Sequence, residues 1–193
     1  MSEIFFISDT HFSHRGIIIY EPIKRPFSSL EEHDEHLVER WNSVVRDEDT
    51  VYHLGDFCLN RSALQFASRL RGKKILIMGN HDTFRTHEYL EVGFSALKGA
   101  FQYENLILTH VPVHPNQLEQ RFFANVHGHL HSKVVLVDPK DDPEWTEEKT
   151  TLRKPDWRYL NVGCEHVNMT PITLEEVYSR IVENQKAAKE PYV

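Results

Sequence analysis

The sequence predicts an α/β protein built on two sheets, and three features carry that expectation. Through about residue 82, short apolar runs alternate with stretches of helical periodicity in the order strand, helix, strand, helix, strand. Beyond residue 100 the candidates are mostly short strands, which calls for a second sheet. Each of the first three strands runs directly into a cluster of Asp, Asn, His or Gly. Sites in α/β proteins form at that position, beyond the carboxyl ends of the strands.

Taken in order, Ile4 to Ile7 is an apolar run of β-branched and aromatic residues, the composition of a strand buried on both faces. Asp9 and His11 follow two apart. Extended chain projects such residues to one side, so a carboxylate and an imidazole are expected to leave the strand aimed at one point. Arg15 to Phe27, with Pro22 and Pro26, reads as a loop. Ser28 or Ser29, followed three residues later by Glu31 or Glu32, is a capping-box pattern. Leu30, Leu37, Trp41 and Val44 carry the helix to about Val45. Thr50 to Leu54 is the second strand and ends at Gly55-Asp56. Asn60 is placed to cap a helix reaching about Leu70, where Gly72 stops it. Lys74 to Met78 is the third strand and ends in Gly79-Asn80-His81-Asp82.

Arg85 to Glu91 carries a short helical signal. The second-half strand candidates are Gln102 to Tyr103, Leu106 to Thr109, Phe122 to His127, Lys133 to Val137 and Tyr159 to Val162. Thr173 and Glu176 form a capping box for a final helix, with Leu174, Val177, Tyr178 and Ile181 on one face. Residues 138–155 are acidic, contain three prolines and lack apolar periodicity, so they read as an exposed loop excursion. At 193 residues the chain suits one domain, 1–193, better than two.

Composition narrows the function classes. No apolar run approaches the roughly 20 residues of a membrane span, and no basic segment followed by an apolar stretch opens the chain, so a cytoplasmic location is expected. Cys58 and Cys164 make no disulfide framework and no Cys-x-x-Cys pair; both read as reduced and structural. A formal charge of −7 argues against broad binding to long nucleic acid, which depends on a basic surface. Thirteen histidines, several beside Gly, Asp or Asn at strand ends, exceed what packing requires.

Collected in order, the clusters are Asp9 and His11, then Asp56, then Asn80-His81-Asp82, then His110, then Gly128-His129-Leu130-His131. All are nitrogen and oxygen ligand types, with no cysteine among them. The supply exceeds one tetrahedral ion, and an aspartate can bridge two metals, so a dinuclear centre follows. The series resembles the calcineurin-like metallophosphoesterases, whose motifs occur in this order over about two-thirds of the chain. That resemblance implies a four-layer α/β/β/α sandwich with two mixed sheets. It implies that Asp9, His11 and His131 hold one metal and Asn80, His110 and His129 the other, with Asp56 bridging. His81 would serve as general acid or charge stabiliser beside the substrate phosphate, and Asp82 would position its imidazole.

Departures from the family matter too. The phosphoprotein phosphatases carry Asp-Arg-Gly after the bridging aspartate and Glu after Asn-His; here Phe57-Cys58 follows Asp56 and Asp82 follows His81. The short length and motif set are more similar to the small bacterial, archaeal and phage-encoded members. Tyr52-His53-Leu54-Gly55-Asp56-Phe57 and Asn161-Val162-Gly163 resemble one such group. The implied reaction is hydrolysis of a phosphodiester, a nucleotide or cyclic nucleotide, by in-line attack of a metal-bridging hydroxide. Alternatives are a phosphomonoesterase or nucleoside polyphosphate hydrolase, and a metal-binding adaptor. Mn²⁺ is the expected metal, with Fe, Zn²⁺ or Ni²⁺ as alternatives.

The remaining site neighbours divide by residue type. His14, His53, His114, His127 and His166 are candidates to orient ligands, against ordinary hydrogen bonding. His33, His36 and His87 read as solvent-facing. Arg15, Lys24, Arg25, Arg61 and Arg85 are either phosphate contacts or surface charges. Phe12 and Phe57 are placed to wall the pocket or stack on a base, and Trp41 belongs to the core.

Overall fold

In a computed structural model, which describes residues 2–138 and 153–189, the strands sort into two mixed sheets. β1 (Ile4–Ile7), β2 (Thr50–His53), β3 (Lys73–Ile77) and β4 (Phe94–Lys98) run parallel. The two-residue β9 (Ile172–Thr173) pairs antiparallel with β1, giving the order β4-β3-β2-β1-β9. The second sheet has the order β5-β6-β7-β8. Its β5 (Ala100–Tyr103) and β6 (Leu106–Thr109) are an antiparallel hairpin, while β7 (Ala124–His127) and β8 (Tyr159–Asn161) continue parallel to β6. Parallel order aligns the carboxyl ends of β1, β2 and β3, and likewise of β6 and β7. The polar clusters that follow these strands therefore share one end of the molecule.

Aromatic rings join the sheets. Tyr52 of β2 stacks on Phe101 of β5 at 5.5 Å between centroids and meets Tyr103 edge-on at 5.6 Å. Phe6 of β1 also meets Tyr103, at 6.3 Å. One buried cluster takes in Phe6, Val51 and Leu76 of the first sheet and Leu108, Val126 and Leu160 of the second. Helices complete the packing. α2 (Leu30–Val44) buries Leu37, Val38 and Trp41, and Trp41 stacks on His53. α4 (Leu174–Ala187) buries Val177 and Ile181 and packs against β1 and β9 of one sheet and β8 of the other.

The predicted capping box forms in full at α4 and by half at α2. Thr173 Oγ1 accepts the Glu176 N–H at 3.2 Å while the Glu176 carboxylate accepts the Thr173 N–H at 2.7 Å. At α2, Ser29 caps Glu32, whose own carboxylate turns back to Ser28 rather than to Ser29.

Elsewhere the structure differs from the sequence expectation. The Arg15–Phe27 loop contains a six-residue helix, α1 (Arg15–Tyr20). Arg61–Arg69 is a 3₁₀ helix rather than an α-helix, and Asn60 does not cap it because its side-chain amide donates to the Ser13 carbonyl at 3.0 Å. Thr86–Glu91 forms α3 as expected. β4 and β9 are strands the sequence reading did not include: β4 skips a residue between the partners of Lys74 and Ile75 of β3, and β9 is only two residues long. Lys133 to Val137 is not a strand: it contributes only the bridge Leu136↔Pro155. That bridge, with Val137 N–H donating to the Lys154 carbonyl, closes the base of the predicted excursion. Residues 139–152 of the excursion lie outside the described residues. Among the described residues no helix is long and apolar enough to cross a membrane.

Candidate metal centre

The chain leaves β1 not as extended strand but by alternation. Asp9, His11 and Ser13 have φ of 57°, 49° and 56°, so left-handed residues alternate with ordinary ones. Asp9 and His11 do converge, through this winding and not through the pleat assumed from their spacing. Asp56 (φ 56°), His129 (69°) and His131 (49°) share the left-handed conformation. For a residue with a Cβ this costs about 1–2 kcal/mol each. Six such residues at one end of the fold, held by the packed sheets beneath, are the backbone signature of a functional site.

Two groups of ligand atoms result, Asp9-His11-His131 and Asp56-His110-His129, the atoms of each lying within 4.8 Å of one another. Asp56 lies between them. Its Oδ2 is 3.3 Å from His110 Nε2 and 3.7 Å from His11 Nε2. His110 donates through Nδ1 to the Leu54 carbonyl at 2.8 Å, which leaves the Nε2 lone pair facing inward. Asn80 Oδ1 at 3.1 Å and His129 Nδ1 at 3.2 Å face that same atom, so Asn80 joins the second group. Both ring nitrogens of His11 are buried with no hydrogen-bond partner among the described residues. Convergent lone pairs and an orphaned buried imidazole fit a cation and fit little else.

The ionisable groups respond to this crowding. Burial pushes Asp9 up to about 6, against the pull of His110 and His131. Burial pushes Asp56 upward too, but His110, the His81 N–H and His11 outweigh it and hold the carboxyl at about 2; against burial, Asp56 in turn raises His110, which carries a proton on Nε2 whenever no cation holds that lone pair. Burial lowers His11 and His129, keeping both rings neutral and free to ligate.

His81 occupies the open side. Its backbone N–H donates to Asp56 Oδ1 at 2.9 Å, while its ring is 44% exposed with Nε2 4.0 Å from Asp56 Oδ2. Asp82 does not position that ring. Its buried carboxylate accepts the backbone N–H groups of Asp56 and Gly79 at 2.8 Å and of Phe57 at 3.0 Å, tying the loop after β2 to the loop after β3. Three amide donors satisfy the carboxylate without the imidazole.

Gly128 permits the closest approach in the site. His129 N–H donates to both oxygens of Asp9 at 3.1 and 3.0 Å, and a Cβ on Gly128 would land on Ser8 Oγ and Asp9 Oδ2. The Ser8 Cβ, 2.7 Å away, blocks any retreat. Gly128→Ala is expected to lower stability by about 1–3 kcal/mol through overpacking and to displace Asp9. A thermal melt together with bound-metal analysis checks this; unchanged values for both would contradict it.

Several neighbours depart from their sequence assignment. Arg25, expected as a phosphate contact or a surface charge, and His33, expected to face solvent, are both fully buried. Phe12 and Phe57 are buried as well and pack on each other at 5.1 Å, so they belong to the core and offer no ring to a base. Arg61 pairs with Glu88 at 2.8 Å. His53 bonds Thr10, His127 the Gly128 carbonyl and His166 the His131 carbonyl, all in the ligand loops, while His114 caps a short 3₁₀ turn. His14 lies beside His11, with ring centroids 5.5 Å apart. Sequence reasoning missed Glu165, whose Oε1 is 3.2 Å from His131 Nδ1. Its one signal is its place two residues after Asn161-Val162-Gly163.

The sequence model of the calcineurin-like phosphoesterase superfamily domain matches residues 2–170. An uncharacterized protein of Methanocaldococcus jannaschii is 32% identical over 193 residues, covering 98% of this chain and 96% of its own length. The Gene 66 protein of Mycobacterium phage D29 is 29% identical over 200 residues, covering 86% of this chain and 89% of its own. A protein of unknown function from Aquifex aeolicus, solved by crystallography, superposes with a TM-score of 0.64 at 25% identity over 93% of this chain and 99% of that one.

Proposed function

The chain belongs to the calcineurin-like phosphoesterase superfamily, and from that premise we propose that it is a two-metal phosphodiesterase acting on a nucleotide or cyclic nucleotide. The observation that carries this reading is Asp56, a buried carboxylate shared between two groups of convergent lone pairs. Asp9, His11 and His131 would hold one ion and Asn80, His110 and His129 the other, with Asp56 available to both. Both sheets act as one domain, because the first supplies Asp9, His11, Asp56 and Asn80 while the second supplies His110, His129 and His131.

When bound, two divalent cations neutralise phosphate charge and acidify a water at neutral pH. The protein's own groups do the rest. The left-handed loops and the Asp82 tie fix the ligands before substrate arrives, so little reorganisation remains at the moment of reaction. His81, exposed on the open side, meets the phosphate ester and hands a proton to the departing oxygen through its imidazole. A donor set of imidazole, carboxylate and one amide suits Mn²⁺, with Fe, Zn²⁺ and Ni²⁺ as alternatives. Thiolate takes no part: burial pushes the Cys58 thiol up to about 12 and raises Cys164 as well.

Metal-stripped protein assayed on bis-p-nitrophenyl phosphate and p-nitrophenyl phosphate, with and without Mn²⁺, tests the reading. Mn²⁺-dependent preference for the diester is expected. Preference for the monoester would replace the diester reading with a phosphomonoesterase, and inactivity with both ions bound would favour an adaptor.

A further inference from the structure

Beneath the first metal group lies a fully buried arginine whose contacts account for its charge and join parts of the chain far apart in sequence. Arg25 Nε donates to Glu165 Oε1 at 2.7 Å, and one terminal nitrogen reaches the same oxygen at 2.7 Å and the Asp9 carbonyl. The other donates to the Thr10 carbonyl at 3.2 Å and to His33 Nε2 at 3.0 Å. A guanidinium cannot accept, so His33 Nε2 is the acceptor and its Nδ1–H is left to donate to Asp34 Oδ1 at 2.9 Å. Asp34 in turn accepts the Ser13 N–H and hydroxyl. This network runs under the whole Asp9–Ser13 turn.

Glu165 Oε1 is also 3.2 Å from His131 Nδ1. A carboxylate there accepts the Nδ1–H and so leaves the Nε2 lone pair of His131 as its ligand atom. We propose that Arg25 and Glu165 are positioning residues of the first metal group: one buried ion pair fixes the His131 tautomer and, through the Asp9 and Thr10 carbonyls, the turn carrying Asp9 and His11. The clamp joins a ligand loop of the first sheet to a ligand loop of the second. None of its direct contacts touches Asp56, His110, His129 or Asn80, so its effect falls chiefly on one metal of the two. This rests on the reading of the two groups as metal sites.

The test is titration of metal-stripped wild type, Glu165→Gln and Arg25→Lys with Mn²⁺ by calorimetry, with circular dichroism to check folding. Outer partners of metal ligands are worth roughly 10–100-fold in affinity. Each variant is expected to fill one site as tightly as wild type and the other that much more weakly. Two unchanged sites in both variants would overturn the clamp and leave the metal reading intact, whereas no Mn²⁺ bound by wild type would overturn both. A second measurement needs no variant. In long-range proton–nitrogen NMR spectra of metal-stripped wild type at alkaline pH, His131 is expected to carry its proton on Nδ1. A proton on Nε2 would refute the positioning role even if the substitutions unfold the chain.

Discussion

Asp56→Asn is expected to strip the protein of both metal ions and, with them, of its Mn²⁺-dependent activity. Asp56 Oδ2 faces His110 and His11, one from each group, at 3.3 and 3.7 Å, so the loss of one charge is felt in both places. Outer partners of ligands cost roughly 10–100-fold in affinity; a ligand common to two ions sets that as the lower bound for each. The amide can keep the oxygen that accepts the His81 N–H, so the loop after β3 keeps its anchor and the variant folds. Metal content per chain and the thermal shift on adding Mn²⁺ are the readouts. At free metal one hundred times the wild-type dissociation constant, wild type gains about 2.7 kcal/mol per site, and a variant weakened 100-fold should gain no more than about 0.4 kcal/mol. Retention of one tightly bound ion would show that Asp56 serves a single site and does not bridge.

The order of elements was legible because local signals agreed with it. Ile4–Ile7 and Leu106–Thr109 are strands with the boundaries their apolar runs indicate, and the Thr173–Glu176 box opens the last helix where expected. What stayed hidden lacks a local period. β9 is two residues long and exists because β1 offers an edge, while the Lys133–Val137 run is β-branched yet finds only a single bridge. Propensity proposes a strand, and a partner strand decides it.

The convergence of the seven residues proposed as ligands was legible for a related reason. They lie just past strand ends, three of them (Asp56, Asn80 and His129) directly after a glycine, where ligand type, spacing and chain order all carry information. The side chains that hold them are not so placed. Arg25 and Glu165 are 140 residues apart, and nothing in the sequence distinguishes that arginine from Arg15 or Arg61 on the surface. Asp82 shows the converse: the family resemblance implied that it positions the His81 imidazole, but at a turn the side chain points to the backbone amides nearest it. Adjacency in sequence is weak information where the chain reverses.

His81→Ala should separate binding from turnover. The ligand sphere survives, because His81 touches Asp56 through its main chain and its ring nitrogen at 4.0 Å is beyond hydrogen-bond distance. The ring is 44% exposed, so its removal opens no buried cavity and stability should stay within about 0.5 kcal/mol of wild type. Turnover should fall by roughly 10²–10⁴-fold, the usual worth of a general acid. The size of the fall should follow the leaving group. p-Nitrophenolate departs readily without a proton and should show the smaller loss, whereas the alkoxide of a nucleotide ester depends on protonation and should show the larger. An equal loss with both would make His81 a charge stabiliser of the phosphate, and a parallel loss of metal would remove it from catalysis.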